Sequence, residues 1–134
     1  MKFTLEEEKK YDFNLIGISC HDNRAYRLCW ALNNALDISL QKEAFDIVIN
    51  NSKHPFFYYK EEATQNEFYL ICNRTSAGLL IPEQKHADYF IMIKENYFIN
   101  FDKLRNKLNS INFVLTSFLI DVENLKSKDK LCGI

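Results

Sequence analysis

The segment 88–93 constrains the fold more than any other part of the chain, because it is apolar on both faces of an extended strand. Successive side chains of a strand point to opposite faces. One face would carry Tyr89, Ile91 and Ile93, and the other Phe90 and Met92. A strand with two apolar faces is buried on both of them. The sequence therefore predicts an interior strand in a sheet.

The preceding segment contains Pro82, one of two prolines in the chain. A proline disfavours the helical conformation in the residue before it, so the apolar residues 79–81 are predicted to be extended and buried. Proline is favoured in the first turn of a helix, and Glu83 would lie at the positive end of the helix dipole. Residues 83–86 are therefore predicted to form one short helical turn.

Two other segments have the helical period of apolar residues. The first is predicted to run from Asn23 to about Leu36 with Asp22 as N-cap, and the second to begin after Asn100 as N-cap. The apolar stripes are Ala25, Leu28, Cys29, Leu32, Ala35 and Leu36 in the first, and Phe101, Leu104, Leu108 and Ile111 in the second. Charged or polar outer faces complete them, formed by Arg24, Arg27 and Asn34 and by Lys103, Arg105 and Lys107.

The remaining segments predict mostly strands. These cover residues 13–20, 38–50, 56–59, 67–73 and 113–120, with a turn at 50–55, a loop at 73–78 and a short terminal helix from Asp121 to Leu125. The strands 56–59 and 67–73 should form an antiparallel hairpin, and Gly17 should allow the close approach of a helix. We therefore expect one α+β domain over residues 1–134, with a mainly antiparallel sheet and two main helices packed on one face.

Composition excludes several classes of protein. The chain has 134 residues, 47% of them hydrophobic, and a net charge of −1, which gives no broad attraction to nucleic acid or anionic lipid. No segment has the length and polarity of a signal peptide or of a membrane helix, so the expected location is the cytoplasm. In that compartment Cys20, Cys29, Cys72 and Cys132 are expected to be reduced.

The segment around Pro82 also resembles a known family. Ile81-Pro82-Glu83 is followed, after four intervening residues, by Asp88-Tyr89, which is similar to the hallmark of the IPExxxVDY family of Bacteroidetes, whose function is not established. The chain departs from the pattern at Ala87, where the family has valine. The resemblance extends to residues 11–18, 26–30, 120–121 and 125–128. It implies a single-domain cytoplasmic bacterial protein and carries over no catalytic residue.

Glu83, His86 and Asp88 form the only close group of titratable residues beside a rigid break. A carboxylate and an imidazole could act as general base and acid or bind a polar ligand, and we take these three residues as the candidate binding site. The alternative is structural: Glu83 would bind backbone N–H groups at a turn, and Asp88 would cap the entry of the strand. Backbone hydrogen bonds to both carboxylates would favour this alternative.

Other chemistries have weaker support. The histidines at 21, 54 and 86 have no metal-ligand spacing, so neither a metal nor a cofactor is expected, and no catalytic residue is assigned. Cys20 precedes a helix, but an inert thiol explains it better than a nucleophile. Tyr58, Tyr59 and Tyr69 could line a binding surface or belong to the core. The cations Lys103, Arg105, Lys107, Lys126, Lys128 and Lys130 could contact RNA or simply form solvated faces.

The leading hypothesis is a non-enzymatic cytoplasmic binding or adaptor domain that could contact a protein partner, with no membrane role and little affinity for nucleic acid. Two alternatives are a small enzyme or small-molecule binder that uses Glu83 with His86 or Asp88, and an RNA-associated protein. A concave pocket lined by Glu83 or Asp88 would favour the enzyme, and a flat exposed apolar patch would favour the adaptor. The oligomeric state is left open.

Overall fold

The structure, a computed structural model, describes residues 13–20, 24–49, 51–94 and 99–132. Its helices in these ranges are α1 (Ala25–Leu36), α2 (Phe101–Asn109) and α3 (Asp129–Cys132), with a 3-10 helix at Val122–Asn124. Its strands are β1 (Phe13–Cys20), β2 (Gln41–Lys42), β3 (Ile47–Ile49), β4 (Ser52–His54), β5 (Phe56–Lys60), β6 (Glu67–Cys72), β7 (Arg74–Thr75), β8 (Gly78–Leu79), β9 (Tyr89–Lys94) and β10 (Val114–Ile120).

Six of these strands form one antiparallel sheet in the order β10-β1-β9-β6-β5-β2. Strand β9 lies between β1 and β6 and is buried from Tyr89 to Ile93, so the predicted interior strand is confirmed. The predicted hairpin is confirmed as well, with Tyr58 directly opposite Tyr69 in the β5–β6 pair.

The sheet has a buried apolar core on each face. The first core contains Tyr89, Ile91 and Ile93 together with residues of α1 and α2, so both main helices cover the same face. The second core contains Phe90 and Met92 and is covered by the β3–β4 hairpin, the segment 80–87 and the C-terminal segment 121–132. The predicted α+β class is therefore confirmed, and so is the division of the β9 side chains between two faces.

The helices follow the predicted stripes. Leu28, Cys29 and Leu32 of α1 are buried, and so are Leu104 and Leu108 of α2. Asn100 is the N-cap of α2, where its side-chain Oδ1 accepts a hydrogen bond from the Lys103 N–H at 3.1 Å. Helix α1 begins after Arg24, and the predicted cap Asp22 lies outside the described residues.

One predicted helix face was wrong in part. Lys103 and Lys107 are exposed, but Arg105 is half-buried, and its Nη2 donates a hydrogen bond to the carbonyl of Ser117 at 3.1 Å. Ser117 is itself buried, and its hydroxyl donates to the side chain of Asn109 at 2.9 Å. Helix α2 therefore lies against the edge strand β10 through polar contacts that the apolar stripe does not predict.

The predicted strand 38–50 and the turn 50–55 are wrong in their boundaries. Two short strands replace the single strand, and only β2 joins the main sheet. Strand β3 pairs with β4 in a separate hairpin, where Ile47 lies opposite His54. The chain reverses at Asn51, whose φ of 69° is in the left-handed region. Strand β4 begins at the next residue, within the segment that we predicted as a turn. The apolar alternation survives only within β3, where Ile47 and Ile49 are half-buried and Val48 is exposed.

The predicted helical turn after Pro82 is also wrong. Two successive turns replace it, closed by hydrogen bonds from Gln84 N–H to the Ile81 carbonyl and from Ala87 N–H to the Gln84 carbonyl. The buried side chain of Asn73 explains the difference. Its Nδ2 donates to the carbonyls of Gln84 and Ala87 at 3.1 and 2.7 Å, and its Oδ1 accepts from Ile81 N–H at 2.8 Å. These contacts hold the backbone in a form that a helix does not have.

Other predictions differ in detail. Residues 74–79, predicted largely as a loop, contain the small hairpin of β7 and β8. Gly17 is approached by a side chain of the neighbouring strand and not by a helix, since an added Cβ would lie 2.5 Å from the Phe118 ring. Asp121 precedes the 3-10 helix but binds the Asn124 side chain and makes no side-chain cap bond to the backbone.

Cys20, Cys29 and Cys72 are free thiols. Among the described residues, no helix combines the length and the apolar character needed to cross a membrane.

Candidate functional site

Glu83 contacts the C-terminal segment. Its Oε2 accepts a hydrogen bond from the backbone N–H of Ser127 at 2.7 Å, and its Oε1 accepts from the Ser127 hydroxyl at 3.0 Å. Burial raises the pKa of the Glu83 carboxyl, but hydrogen bonds from its own backbone N–H, from Ser127 and from Lys126 outweigh burial, and the net effect lowers the pKa. Glu83 thus fastens the C-terminal segment to the turn after Pro82.

Asp88 contacts two different segments. Its Oδ2 accepts from the backbone N–H of Cys20 at 2.9 Å, and its Oδ1 accepts from Arg74 Nε at 2.9 Å. The Arg74 guanidinium also donates to the carbonyl of Lys85, which lies in the turns between Pro82 and Asp88. Asp88, which directly precedes β9, therefore connects this part of the chain to the end of β1 and to the β7–β8 hairpin.

His86 is exposed, and among the described residues it has no hydrogen-bond partner. The three predicted site residues therefore do not converge, because Glu83 and Asp88 contact different parts of the chain. Both carboxylates accept backbone hydrogen bonds, which favours their structural interpretation. A functional role for the three residues stays a prediction.

A cavity of about 460 Å³ lies elsewhere, on the second face of the sheet. We call it the aromatic pocket, and its lining residues are Glu43, Phe45, Ile47, Phe56, Tyr58, Tyr69 and Lys130. The volume is within the range of roughly 300–1,000 Å³ that is common for small-molecule sites. Neither Glu83, His86 nor Asp88 lines it.

Four rings form the wall of the aromatic pocket. Tyr58 and Tyr69 are directly opposite on paired strands, so their ring centroids are only 5.0 Å apart. Phe56 stacks on Tyr69 with centroids 6.2 Å apart, and Phe45 meets Phe56 edge to face at 5.4 Å. The Phe45 side chain is 64% exposed, which places a large apolar group at the mouth of the pocket.

The β3–β4 hairpin supplies another part of the wall through Ile47. His54 holds this hairpin on the sheet, since its fully buried ring has Nδ1 2.9 Å from the Cys72 carbonyl and Nε2 2.7 Å from Ser52 Oγ. The carbonyl can only accept, so Nδ1 carries a proton, and the neutral ring then accepts the Ser52 hydroxyl at Nε2. Burial lowers the pKa of His54, the Cys72 carbonyl raises it, and the charge of Lys130 lowers it further.

The C-terminal segment closes the pocket with Lys130. Its Nζ donates to the carbonyl of Leu80 at 2.9 Å, and its backbone N–H donates to the carbonyl of Ser127 at 3.0 Å. Ser127 is the residue that Glu83 binds. The predicted site residue Glu83 is thus connected to the aromatic pocket through this segment, although it does not line it.

Two tyrosines of the pocket lie in a negative environment. The Tyr58 hydroxyl donates to the Glu67 carboxylate, and burial together with that carboxylate raises the pKa of Tyr58. Burial, followed by the charges of Glu67 and Glu43, raises the pKa of Tyr69 to about 12. Both hydroxyls are therefore protonated at neutral pH, and they act as hydrogen-bonding groups and not as bases.

Sequence reasoning found the pocket only in part. Tyr58, Tyr59 and Tyr69 were predicted as a binding surface or as core; Tyr58 and Tyr69 line the pocket, whereas Tyr59 packs against the first core. The sequence places Phe45 in a regular strand, assigns no role to Glu43 and groups Lys130 with basic residues that could contact RNA, so none of the three was predicted to line a pocket. The pocket joins parts of the chain that only the fold brings together.

A second cavity, also of about 460 Å³, lies on the helical side of the sheet. Its floor includes Leu36, Phe68 and Leu104, and its rim is polar, with Lys103 and Lys107 of α2. The aromatic pocket has the more apolar lining and the denser set of rings, so it is the stronger candidate for a binding site.

Within the described ranges, no three His, Cys, Asp or Glu side chains come together in a way that could hold a metal ion. Comparison of the chain with protein-family models, with curated proteins and with solved structures gave no match. The resemblance to the IPExxxVDY family therefore stays a prediction.

Proposed function

We propose that the protein is a non-enzymatic cytoplasmic binding domain whose aromatic pocket holds the apolar part of a small ligand. The observation that carries this proposal is the set of four rings around a cavity of about 460 Å³. Apolar, ring-lined concave sites with a few polar groups are typical of small-molecule binding. Phe45, largely exposed at the mouth, would lose its contact with water when a ligand binds.

The chemistry around the pocket supports binding over catalysis. The charged side chains that line it are Glu43 and Lys130, and the described lining includes no serine, threonine or cysteine. Burial raises the pKa of the Cys72 thiol to about 12, and burial raises that of Cys29 as well, so these thiols are protonated and unreactive at neutral pH.

NMR titration with two planar apolar probes, indole and p-cresol, tests the proposal. We expect chemical-shift changes concentrated on pocket residues such as Phe56 and Tyr69, and weaker binding in the variant Phe45→Ala, which removes one ring of the wall. Trp30→Ala is the matched control, because Trp30 is 69% exposed but belongs to α1 on the opposite face. Shifts that avoid the pocket, or equal effects of the two variants, would contradict the proposal.

A second candidate function is a protein adaptor, favoured by Tyr26 and Trp30. These side chains are 65% and 69% exposed and lie four residues apart, so they form one apolar strip on the outer face of α1. A pull-down from the lysate of the native host should then retain a partner with the wild type and lose it with Tyr26→Ala/Trp30→Ala. Retention by both proteins, with the variant shown to be folded, would reject this surface.

The RNA alternative has less support. Three of the six cations that suggested it donate to carbonyls of the protein: Arg105 to Ser117, Lys128 to Glu123 and Lys130 to Leu80. Half of the six cations therefore already have hydrogen-bond partners within the protein, which weakens the case for a shared surface that contacts a nucleic acid backbone.

A further inference from the structure

We propose that the ligand of the aromatic pocket carries an alkylated ammonium group, which lies against the ring wall with Glu43 as its counter-charge. This inference rests on the proposed binding function and specifies the chemistry of the ligand. Three observations support it: the negative faces of the aromatic rings, the hydrogen bonds of Glu43 and Lys130 at the rim, and the weak hydration of an alkylated ammonium.

The rings favour a cation. The face of an aromatic ring is negative, and a cation within about 6 Å of the ring centroid is attracted to it. The protein already makes one such contact at this wall, where Lys94 Nζ lies 5.3 Å from the centroid of Tyr69. The hydrogen bond from Tyr58 to the Glu67 carboxylate places a further negative charge beside the same rings.

Glu43 supplies the charge at the rim. Its backbone N–H donates to the carbonyl of Phe56 at 3.0 Å, which fixes the residue beside the ring wall. Its half-buried carboxylate accepts no hydrogen bond from the described residues, so it is available to a ligand. Its charge is felt within the pocket, since it contributes to the raised pKa of Tyr69.

Lys130, the other charged group at the rim, is committed to the protein, because its Nζ donates to the carbonyl of Leu80. Lys130 keeps its positive charge, but its Nζ is held at that carbonyl, whereas the Glu43 carboxylate accepts no hydrogen bond from the described residues and can contact a cationic ligand directly. An alkylated ammonium suits an apolar wall better than a primary ammonium, because it holds its water less strongly and has no N–H donors to satisfy.

Choline and its neutral isostere 3,3-dimethylbutan-1-ol separate the charge from the shape. They differ at one atom, the quaternary nitrogen or carbon, so a difference in affinity reports the cation alone. In NMR titrations of the pocket residues we expect choline to bind about tenfold more tightly, equivalent to about 1.4 kcal/mol, a preference that decreases as salt is added.

The variant Glu43→Gln should abolish most of the preference for choline and leave the affinity for the alcohol unchanged. Glu62→Gln is the control, because Glu62 is an exposed acid of the β5–β6 turn and does not line the pocket. Equal affinities for choline and the alcohol in the wild type, or an unchanged preference in Glu43→Gln, would overturn the inference.

The two proposals fail in distinguishable ways. If indole or p-cresol perturbs the pocket residues and choline has no advantage over the alcohol, the binding function stands and the ammonium inference is rejected. If none of the four probes perturbs the pocket residues, both are rejected.

Discussion

The carboxylate of Glu83 binds both the backbone N–H and the hydroxyl of Ser127, a residue 44 positions further along the chain. This pair connects the turn after Pro82 to the C-terminal segment, which buries Val122, Leu125 and Leu131 against the second face of the sheet. Glu83, part of the motif around Pro82, therefore has a structural role, because it holds the C-terminal segment against the rest of the fold.

Replacing Glu83 tests this role. We expect Glu83→Gln to lower the free energy of unfolding by about 1 kcal/mol, because the amide can still bond to Ser127 but no longer with a carboxylate charge. Chemical denaturation of Glu83→Gln, Ser127→Ala and the double variant should give effects that do not add, since both changes weaken the same hydrogen-bonded pair. Glu123→Gln, an exposed acid of the same segment, serves as control, and additive effects would contradict the contact.

The stability contributed by Glu83 should depend on pH. Its pKa in the folded protein lies below the ordinary value of 4.5, so the folded state favours the ionised form. This contribution is present above pH 4.5 and is lost as the pH falls through the lowered pKa. The unfolding free energies of the wild type and of Glu83→Gln should therefore converge in acid. Curves that stay parallel would show that ionisation of Glu83 does not stabilise the fold.

His54 should give a second pH dependence, nearer neutrality. Its pKa in the folded protein lies below the ordinary value of 6.5, chiefly because the ring is buried. The unfolded chain then takes up a proton first, so stability is full above pH 6.5 and decreases as the pH falls towards the lowered pKa. Denaturation between about pH 8 and about pH 5 should show this slope in the wild type and in His86→Gln but not in His54→Gln.

Gly17 should not tolerate a side chain. An added Cβ would lie 2.5 Å from Phe118 Cε2 and 3.2 Å from Ile120 Cδ1, and the Phe118 ring is packed against the second core. We expect Gly17→Ala to destabilise the protein by about 1–3 kcal/mol through overpacking. The double variant Gly17→Ala/Phe118→Leu should recover part of this loss in thermal denaturation. If Phe118→Leu gives no recovery, the ring is not the obstacle.

Arg105 should limit self-association. Strand β10 is an edge of the main sheet, contains no charged residue or proline, and exposes Leu115 and Leu119. Such an edge can pair with another chain, and Arg105 occupies the carbonyl of Ser117 near its centre. Sedimentation velocity of Arg105→Ala should show a sedimentation coefficient that rises with concentration. Lys103→Ala, an exposed change on the same helix, should behave like the wild type, and so would Arg105→Ala if the contact has no such role.

The predictable parts of the fold are those in which one segment carries its own pattern. The two apolar faces of β9, the stripe of α1 and the pairing of β5 with β6 each follow from local alternation or period. The turn after Pro82 differs because its conformation depends on Asn73, a side chain nine residues earlier. No local sequence pattern reveals such a contact, so the preference of proline for the first turn of a helix led to the wrong prediction for residues 83–86.

The same limit applies to the candidate site. Tyr58 and Tyr69 could be linked from sequence, since they belong to one predicted hairpin. Phe45 precedes that hairpin in the sequence and Lys130 lies far beyond it. Only the folded chain brings these two residues to the same cavity. A cluster of acids in sequence, Glu83 and Asp88, was easier to notice, but its members bind different segments.

The position of β1 in the sheet has a consequence for synthesis on the ribosome. Its two neighbours, β9 and β10, both come from the later part of the chain, whereas β5 and β6 can pair as soon as they emerge. A nascent chain that has not yet reached Ile120 leaves a long apolar strand without one or both partners. Strand β1 is therefore the part of the growing chain most exposed to mispairing. Its pairing with β9 and β10 is the step at which a chaperone would matter most.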